Sequence, residues 1–180
     1  YAAEHLGAFV ESHRGEAAVA DLLTAAEETW KQDNNQEAQQ LLAEPGADVV
    51  VYLQLLIKQD RKLTELKDLQ GLLWAEGYAS GDLKGPLFND VAPALRRWHQ
   101  QGVVLAVYSS GSVAAQQLLY GHSTEGDLRN LFSHWFDTRT GPKQDVGSYR
   151  AISEAMGVGS AKVLFISDSL LECEAAHAAD

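Results

Sequence analysis

Val103-Val104-Leu105-Ala106-Val107-Tyr108-Ser109-Ser110-Gly111-Ser112 joins an uninterrupted apolar run of strand length to a cluster of small polar residues. A strand without polar alternation is apolar on both faces, as parallel strands between helices are. The stretch that follows, Val113-Ala114-Ala115-Gln116-Gln117-Leu118-Leu119-Tyr120, reads as a helix that stops at Gly121. A buried strand, a small-residue turn and a helix form the basic unit of an α/β fold.

Working outward, the same grammar recurs. Upstream, a helix over about residues 89–101 stops at Gly102, where glycine tolerates a left-handed cap. Downstream, Thr124 and Asp127 stand at capping-box spacing before Leu128 and Leu131. Residues 134–137 read as a short strand, and 146–156 as a helix closed by Gly157. Val163-Leu164-Phe165-Ile166 then reads as a strand with Ser167-Asp168-Ser169 at its polar end, before a helix over 170–179. Such alternation predicts a parallel sheet with helices on both faces.

Before residue 81 the pattern is helical. Val19, Leu22, Leu23, Ala26 and Trp30 recur at helical spacing. Residues 31–48 are polar, rich in Asn and Gln and broken by Pro45-Gly46, and read as a surface connection. Val49-Val50-Val51-Tyr52 is β-prone, but the run continues to Lys58 without punctuation and is read as a helix. The chain thus divides into a helical unit, 1–80, and an α/β unit, 81–180. Its first residues read as the middle of a helix and its last as a helix with no following strand, so both ends are expected to be cut.

The 180 residues carry 14 Lys and Arg against 25 Asp and Glu, a formal net charge of −11. No basic cluster exceeds Arg96-Arg97, so nucleic acid and anionic membranes are poor partners. No run of about 18 apolar residues spans a bilayer. A lone cysteine, Cys173, cannot form an internal disulfide, which favours a reducing, cytoplasmic setting. A monomer is expected.

In an open parallel sheet, ligands bind beyond the carboxyl ends of the strands. Three groups stand there. Ser109-Ser110-Gly111-Ser112 could hold an anion through hydroxyls, close backbone approach and the helix N-terminus, or could be an ordinary turn with Ser112 as N-cap. Lys143, after Thr138-Arg139-Thr140-Gly141-Pro142, could neutralise a phosphate, although a lone loop lysine is commonly a solvated surface residue. Asp168 could hold a hard cation such as Mg²⁺, or cap the next helix.

Serine, lysine and aspartate after successive strands resemble the second to fourth motifs of the haloacid dehalogenase superfamily. Asp60-Arg61-Lys62, Leu69-Gln70-Gly71 with Trp74, Tyr108-Ser109-Ser110-Gly111-Ser112-Val113, Gly121-His122-Ser123-Thr124-Glu125-Gly126-Asp127 and Phe136-Asp137-Thr138 narrow the resemblance to the enolase-phosphatases of methionine salvage. It extends over the whole chain. The fold it implies is a haloacid dehalogenase-like, Rossmann-like parallel-sheet core with an inserted helical cap that would close over the site. The activity it implies is enolisation of 2,3-diketo-5-methylthiopentyl 1-phosphate followed by loss of its phosphate to give the acireductone, with Mg²⁺ required. Ser109, Ser110 and Lys143 would then bind this small phosphorylated substrate, and Asp168 the metal.

One departure bears on catalysis. The family's nucleophile belongs to a first motif of the Asp-Ile-Glu-Gly-Thr-Thr type, expected upstream of Tyr1, and no catalytic residue is assigned within the chain. The 180 residues alone are therefore expected to be inactive. The strands at 103–108 and 163–166 would flank the first strand's place, so the 180 residues are also expected to fold poorly. Asp168 is followed by Ser169 where the family usually has a hydrophobic residue. The alternatives are a phosphatase of another small phosphate ester, a non-catalytic interaction protein, and a dinucleotide-binding oxidoreductase, the last disfavoured because no Gly-x-Gly-x-x-Gly follows a strand.

Among the remaining residues, no two histidines stand at i and i+4 as helical metal ligands. His122 is read as organising its loop, and the four tryptophans as packing groups. Gln70 and Trp74, one turn apart, could face the methylthio chain. Glu172 and Glu174 could support the site or simply favour a helix N-terminus.

Overall fold

The computed structural model of the protein describes residues 1–179 and divides into two compact units, Tyr1–Leu83 and Lys84–Asp180. The first contains α1 (Ala2–His13), α2 (Ala17–Gln32), α3 (Gln36–Leu42), α4 (Val49–Lys58) and α5 (Thr64–Ser80). Leu6 and Val10 of α1, Val19, Leu23, Ala26 and Trp30 of α2, Leu53 and Leu56 of α4 and Leu69 of α5 meet in one buried cluster. Residues at three- and four-residue spacing share a helix face, so the stripe from Val19 to Trp30 becomes the inner face of α2. Burying each such aliphatic side chain contributes about 1.5–3 kcal/mol.

Residues 31–48 are not the surface connection that their polarity suggests. They contain α3, whose first turn is capped by the Asn35 side chain accepting from Ala38 N at 3.1 Å. Its Ala38 is fully buried, and Ala38 O accepts from Trp30 Nε1 at 2.8 Å. One cap and one tertiary hydrogen bond suffice for a short helix with little apolar content. The stretch at 49–58 is helical as read, with Asp48 Oδ1 accepting from Val50 N at 2.8 Å.

After α4 the chain reverses at Asp60, whose φ of 50° is the only positive value at a non-glycine among the described residues. Asp60 N donates to Ile57 O and Arg61 N to Leu56 O, closing the helix end. The turn delivers Arg61 to Asp33, with Nη2 2.7 Å from Oδ2, and Tyr52 donates to the same oxygen at 3.0 Å. Trp30 stacks on Tyr52 with ring centroids 5.2 Å apart.

The second unit contains α6 (Val91–Gln100), β1 (Leu105–Tyr108), α7 (Val113–Gly121), β2 (Phe132–Phe136), α8 (Val146–Met156) and α9 (Leu170–His177), with 3₁₀ turns at Arg129–Leu131 and Ser160–Lys162. α6 ends at Gly102, φ 78°, where Gly102 N donates to His99 O and Val103 N to Trp98 O. β1 and β2 are parallel: Leu105 lies opposite Phe132 and, past an irregularity, Ala106, Val107 and Tyr108 lie opposite His134, Trp135 and Phe136. The architecture is α/β, as expected.

Three expectations change here. The first strand begins at Leu105 rather than Val103, and it is not buried on both faces: Ala106 is exposed, and Val103 and Val104 are about half exposed. Residues 163–166 form no strand, with Leu164 83% and Ile166 68% exposed. Their β-propensity is real, but a strand is defined by a hydrogen-bonded neighbour, and none of the described residues supplies one to this segment. No capping box forms at Thr124 and Asp127 either. Thr124 N donates to Gly85 O, and Asp127 turns to Arg129, with Oδ2 2.6 Å from Nη2. Asp127 Oδ1 also accepts from Arg129 N at 3.0 Å, so the carboxylate serves the turn that follows it rather than the Thr124 amide.

Candidate active site

Three segments converge by hydrogen bonds at the carboxyl ends of β1 and β2. The first is the Ser109–Ser112 turn. Ser109 N donates to Phe136 O at 3.1 Å, so the turn is fastened to the end of β2 before it leaves the sheet. Ser109 Oγ accepts from Gly111 N at 3.2 Å, which leaves its own proton available. Ser112 caps α7, its Oγ accepting from Ala115 N at 3.2 Å, so the ordinary turn role holds for this serine. Ser110 has no such duty: among the described residues neither its amide nor its hydroxyl finds a partner. An open amide and hydroxyl before a helix N-terminus are donors suited to an anion.

The second segment carries Lys143. Tyr108 OH donates to Gly141 O at 2.8 Å, Ser148 Oγ to Pro142 O at 2.8 Å, and Tyr149 OH to Lys143 O at 2.6 Å. Each of three consecutive carbonyls is thus held by a hydroxyl. Burial pushes the Tyr149 phenol up to about 12, so it stays a donor at neutral pH. Gly141 has φ 149°, and a Cβ there would overlap Ser148 Oγ, so this position requires glycine.

The third segment is Ser167-Asp168-Ser169 before α9. Lys143 Nζ reaches Oε2 of Glu172 at 2.6 Å, and Ser167 Oγ donates to the same oxygen at 2.8 Å. That hydrogen bond from Lys143 holds the Glu172 carboxyl below its ordinary range. Lys143 is therefore not a solvated surface lysine; its side chain is 23% exposed and tethered to the turn that carries Asp168. Asp168 itself is exposed and does not cap α9, whose N-cap is Ser169 with no side-chain cap bond. Ser109 and Ser110 make no direct hydrogen bond to Lys143 or Asp168; Tyr108, through Gly141, links the two sides.

A single exposed carboxylate is an acceptable Mg²⁺ ligand, because the ion keeps several waters and combines one or two carboxylates with substrate phosphate. Among the described residues no group of three or more His, Cys, Asp and Glu side chains could hold a metal by itself. Asp168 thus fits a partial site, with Glu172 already committed to Lys143.

Sequence reasoning gave Gln116 no role and quoted Asp137 only within Phe136-Asp137-Thr138, with no task assigned to it. Asp137 closes β2, is 6% exposed, and accepts from Val113 N at 3.2 Å and from Arg139 N and Nε. Arg139 holds its carboxyl down at about 2 in spite of burial. Gln116 Nε2 donates to Gly111 O and Phe136 O, each at 2.8 Å. The only available signal was a polar residue on the apolar side of a predicted helix. At His122 the backbone carbonyl accepts from Gly85 N at 2.8 Å, a bond that is independent of the imidazole.

The parallel α/β pair carries serine after β1 and lysine after β2, with aspartate in the turn before α9, and comparison with known proteins names the class. Residues 4–180 match the haloacid dehalogenase-like hydrolase family, and the chain belongs to that family. Within it, the chain is 51% identical over 180 residues to enolase-phosphatase E1 of Synechococcus sp. (strain RCC307), covering 99% of this chain and 72% of that protein. Against enolase-phosphatase E1 of Pseudomonas syringae pv. syringae (strain B728a), identity is 46% over 182 residues, 99% of this chain and 75% of the relative. Against that of Synechococcus sp. (strain WH7803) it is 53% over 154 residues, 82% of this chain and 64% of the relative. The chain therefore spans about two thirds to three quarters of these relatives' length. Among solved structures, the UTR4 protein of Saccharomyces cerevisiae matches with TM-score 0.66 and 30% identity, covering 93% of this chain and 80% of that one. No helix among the described residues is long and apolar enough to cross a membrane.

Proposed function

We propose that the protein is a cytoplasmic, Mg²⁺-dependent enolase-phosphatase of methionine salvage, acting on 2,3-diketo-5-methylthiopentyl 1-phosphate to give the acireductone. The observation that carries the reading is the tethered Lys143 beside the Asp168 turn, with Ser110 leaving two donors open across Tyr108 and Gly141. Ser109 and Ser110 bind the phosphate oxygens, Lys143 neutralises their charge as a fixed cation, and the α7 N-terminus adds its dipole. Mg²⁺, held in part by Asp168, supplies charge neutralisation of the phosphoryl group when bound. The helical unit is the cap that selects the substrate and excludes water.

The nucleophilic carboxylate belongs, on this reading, to an Asp-Ile-Glu-Gly-Thr-Thr type motif that does not occur within these 180 residues. The 180 residues alone should then hydrolyse no phosphate ester. Phosphate release by the full-length protein, with and without Mg²⁺, on the diketo phosphate and on a panel of unrelated phosphate esters tests the proposal. Selective turnover of the diketo compound supports it. Equal turnover of the panel favours a phosphatase of another small ester, and no turnover of any favours an interaction protein.

A further inference from the structure

Gln116 is 6% exposed, yet its Oε1 is buried with no hydrogen-bond partner. The amide cannot be turned round to relieve this, because Nε2 already donates to two carbonyls, Gly111 O and Phe136 O, and exchanging the atoms would set oxygen against oxygen. A methionine of similar shape would fill the space and bury no orphan acceptor. The side chain is therefore explained by its donor rather than by packing.

What that donor does is specific. Phe136 O, at the end of β2, accepts from Ser109 N and from Gln116 Nε2, which occupies both of its lone pairs. Gln116 also takes Gly111 O, while Asp137, the next residue, takes Val113 N at 3.2 Å. The turn is thus gripped at Ser109, Gly111 and Val113, with Ser110 left between the grips. Both gripping side chains are buried, and each touches the turn through its backbone.

Resting on the proposed function, we infer that Gln116 and Asp137 are positioning residues that hold the Ser109–Ser112 turn in the conformation that receives the phosphate. They touch no substrate. Removing the Gln116 donor lets Gly111 relax and moves the Ser110 amide and hydroxyl away from their common target, so phosphate affinity falls while Lys143 and Asp168 stay in place.

The test uses the full-length protein and inorganic phosphate as the probe, with binding followed by calorimetry and thermal unfolding measured alongside. Gln116→Met is expected to weaken phosphate binding about tenfold or more with its melting temperature close to that of the parent. In a Ser110→Ala background the same change should cost less, because the hydroxyl is already gone and only the amide remains to be displaced; an equal loss in both backgrounds would assign Gln116 to general packing and overturn the inference. If Gln116→Met does not fold, Asp137→Asn decides by the same readings. Unchanged affinity in a folded variant overturns the inference while leaving the phosphatase reading intact. A parent protein that binds no phosphate removes both.

Discussion

The Lys143 ammonium lies 2.6 Å from Oε2 of Glu172, and Ser167 donates to the same oxygen at 2.8 Å. With side chains 23% and 14% exposed, the two charges interact in a medium less polar than water, where attraction is stronger and a broken pair costs more. The pair joins the loop after β2 to the first turn of α9, to which Ser167 ties the preceding turn.

This arrangement separates charge from placement. In the full-length enzyme, Lys143→Met removes the cation itself and should lower kcat about a hundredfold or more, the usual scale for losing one preorganised electrostatic group. Glu172→Gln keeps the cation and loosens its tether, so its loss should be smaller. Steady-state kinetics on both variants decides, and near-parental rates in both would remove Lys143 from the site.

Asp137 predicts the shape of the acid limb of stability. Its folded-state pKa of about 2 lies below the usual carboxylate value near 3.8. A lowered folded-state pKa gives stability that is complete above the unfolded value and is lost as pH falls through the folded one. The window is thus from about pH 4 down to about pH 2. Because Arg139 is 80% exposed, the contribution is discounted to about 1 kcal/mol. Asp137→Asn should flatten this part of a plot of Tm against pH, and an identical limb would contradict the assignment.

In the helical unit, Arg61→Ala leaves the Asp33 carboxylate, 7% exposed, without its cation. With Arg61 35% exposed and Tyr52 and Asn35 N still donating to Asp33, the expected destabilisation is about 1–2 kcal/mol, below the scale of a fully buried pair. Adding Asp33→Asn should recover part of the loss, because the stranded charge goes with it. Urea unfolding of the single and double variants measures this, and full additivity would refute it.

Gly141→Ala forces a side chain onto φ 149° and against Ser148 Oγ. A cost of about 1–3 kcal/mol is expected, with weaker phosphate binding because Lys143 lies two residues on. Gly159, where a Cβ would meet open space, is the control: Gly159→Ala should change neither property.

Helices with strong local signals were readable from the sequence. Val49–Lys58 and Val146–Met156 carry apolar periodicity, and the latter also has a terminal glycine. α3 was not readable, since its existence depends on Trp30 finding Ala38 O, a tertiary contact. Residues 163–166 show the opposite failure, a strand composition without a partner strand. Ser109, Ser110, Lys143 and Asp168 drew attention because polar residues follow apolar runs there, although the run before Asp168 forms no strand. Gln116 was missed, and Asp137 stood out only within a quoted motif, because their task is defined by backbone carbonyls and amides, which leave no trace in residue type.

The parallel pairing of β1 with β2 also sets an order of events in time. Parallel strands cannot meet through a tight turn, so Leu105 and Phe132 come together only once the intervening chain has closed into a compact crossover. Helices α1 to α5 build most of their hydrogen bonds within single segments, and such local contacts form faster. On refolding, the helical unit should mature first. Pulse-labelled hydrogen exchange should record protection at Leu53 and Leu69 before Val107 and Trp135, and simultaneous protection would show that the two units assemble in one step.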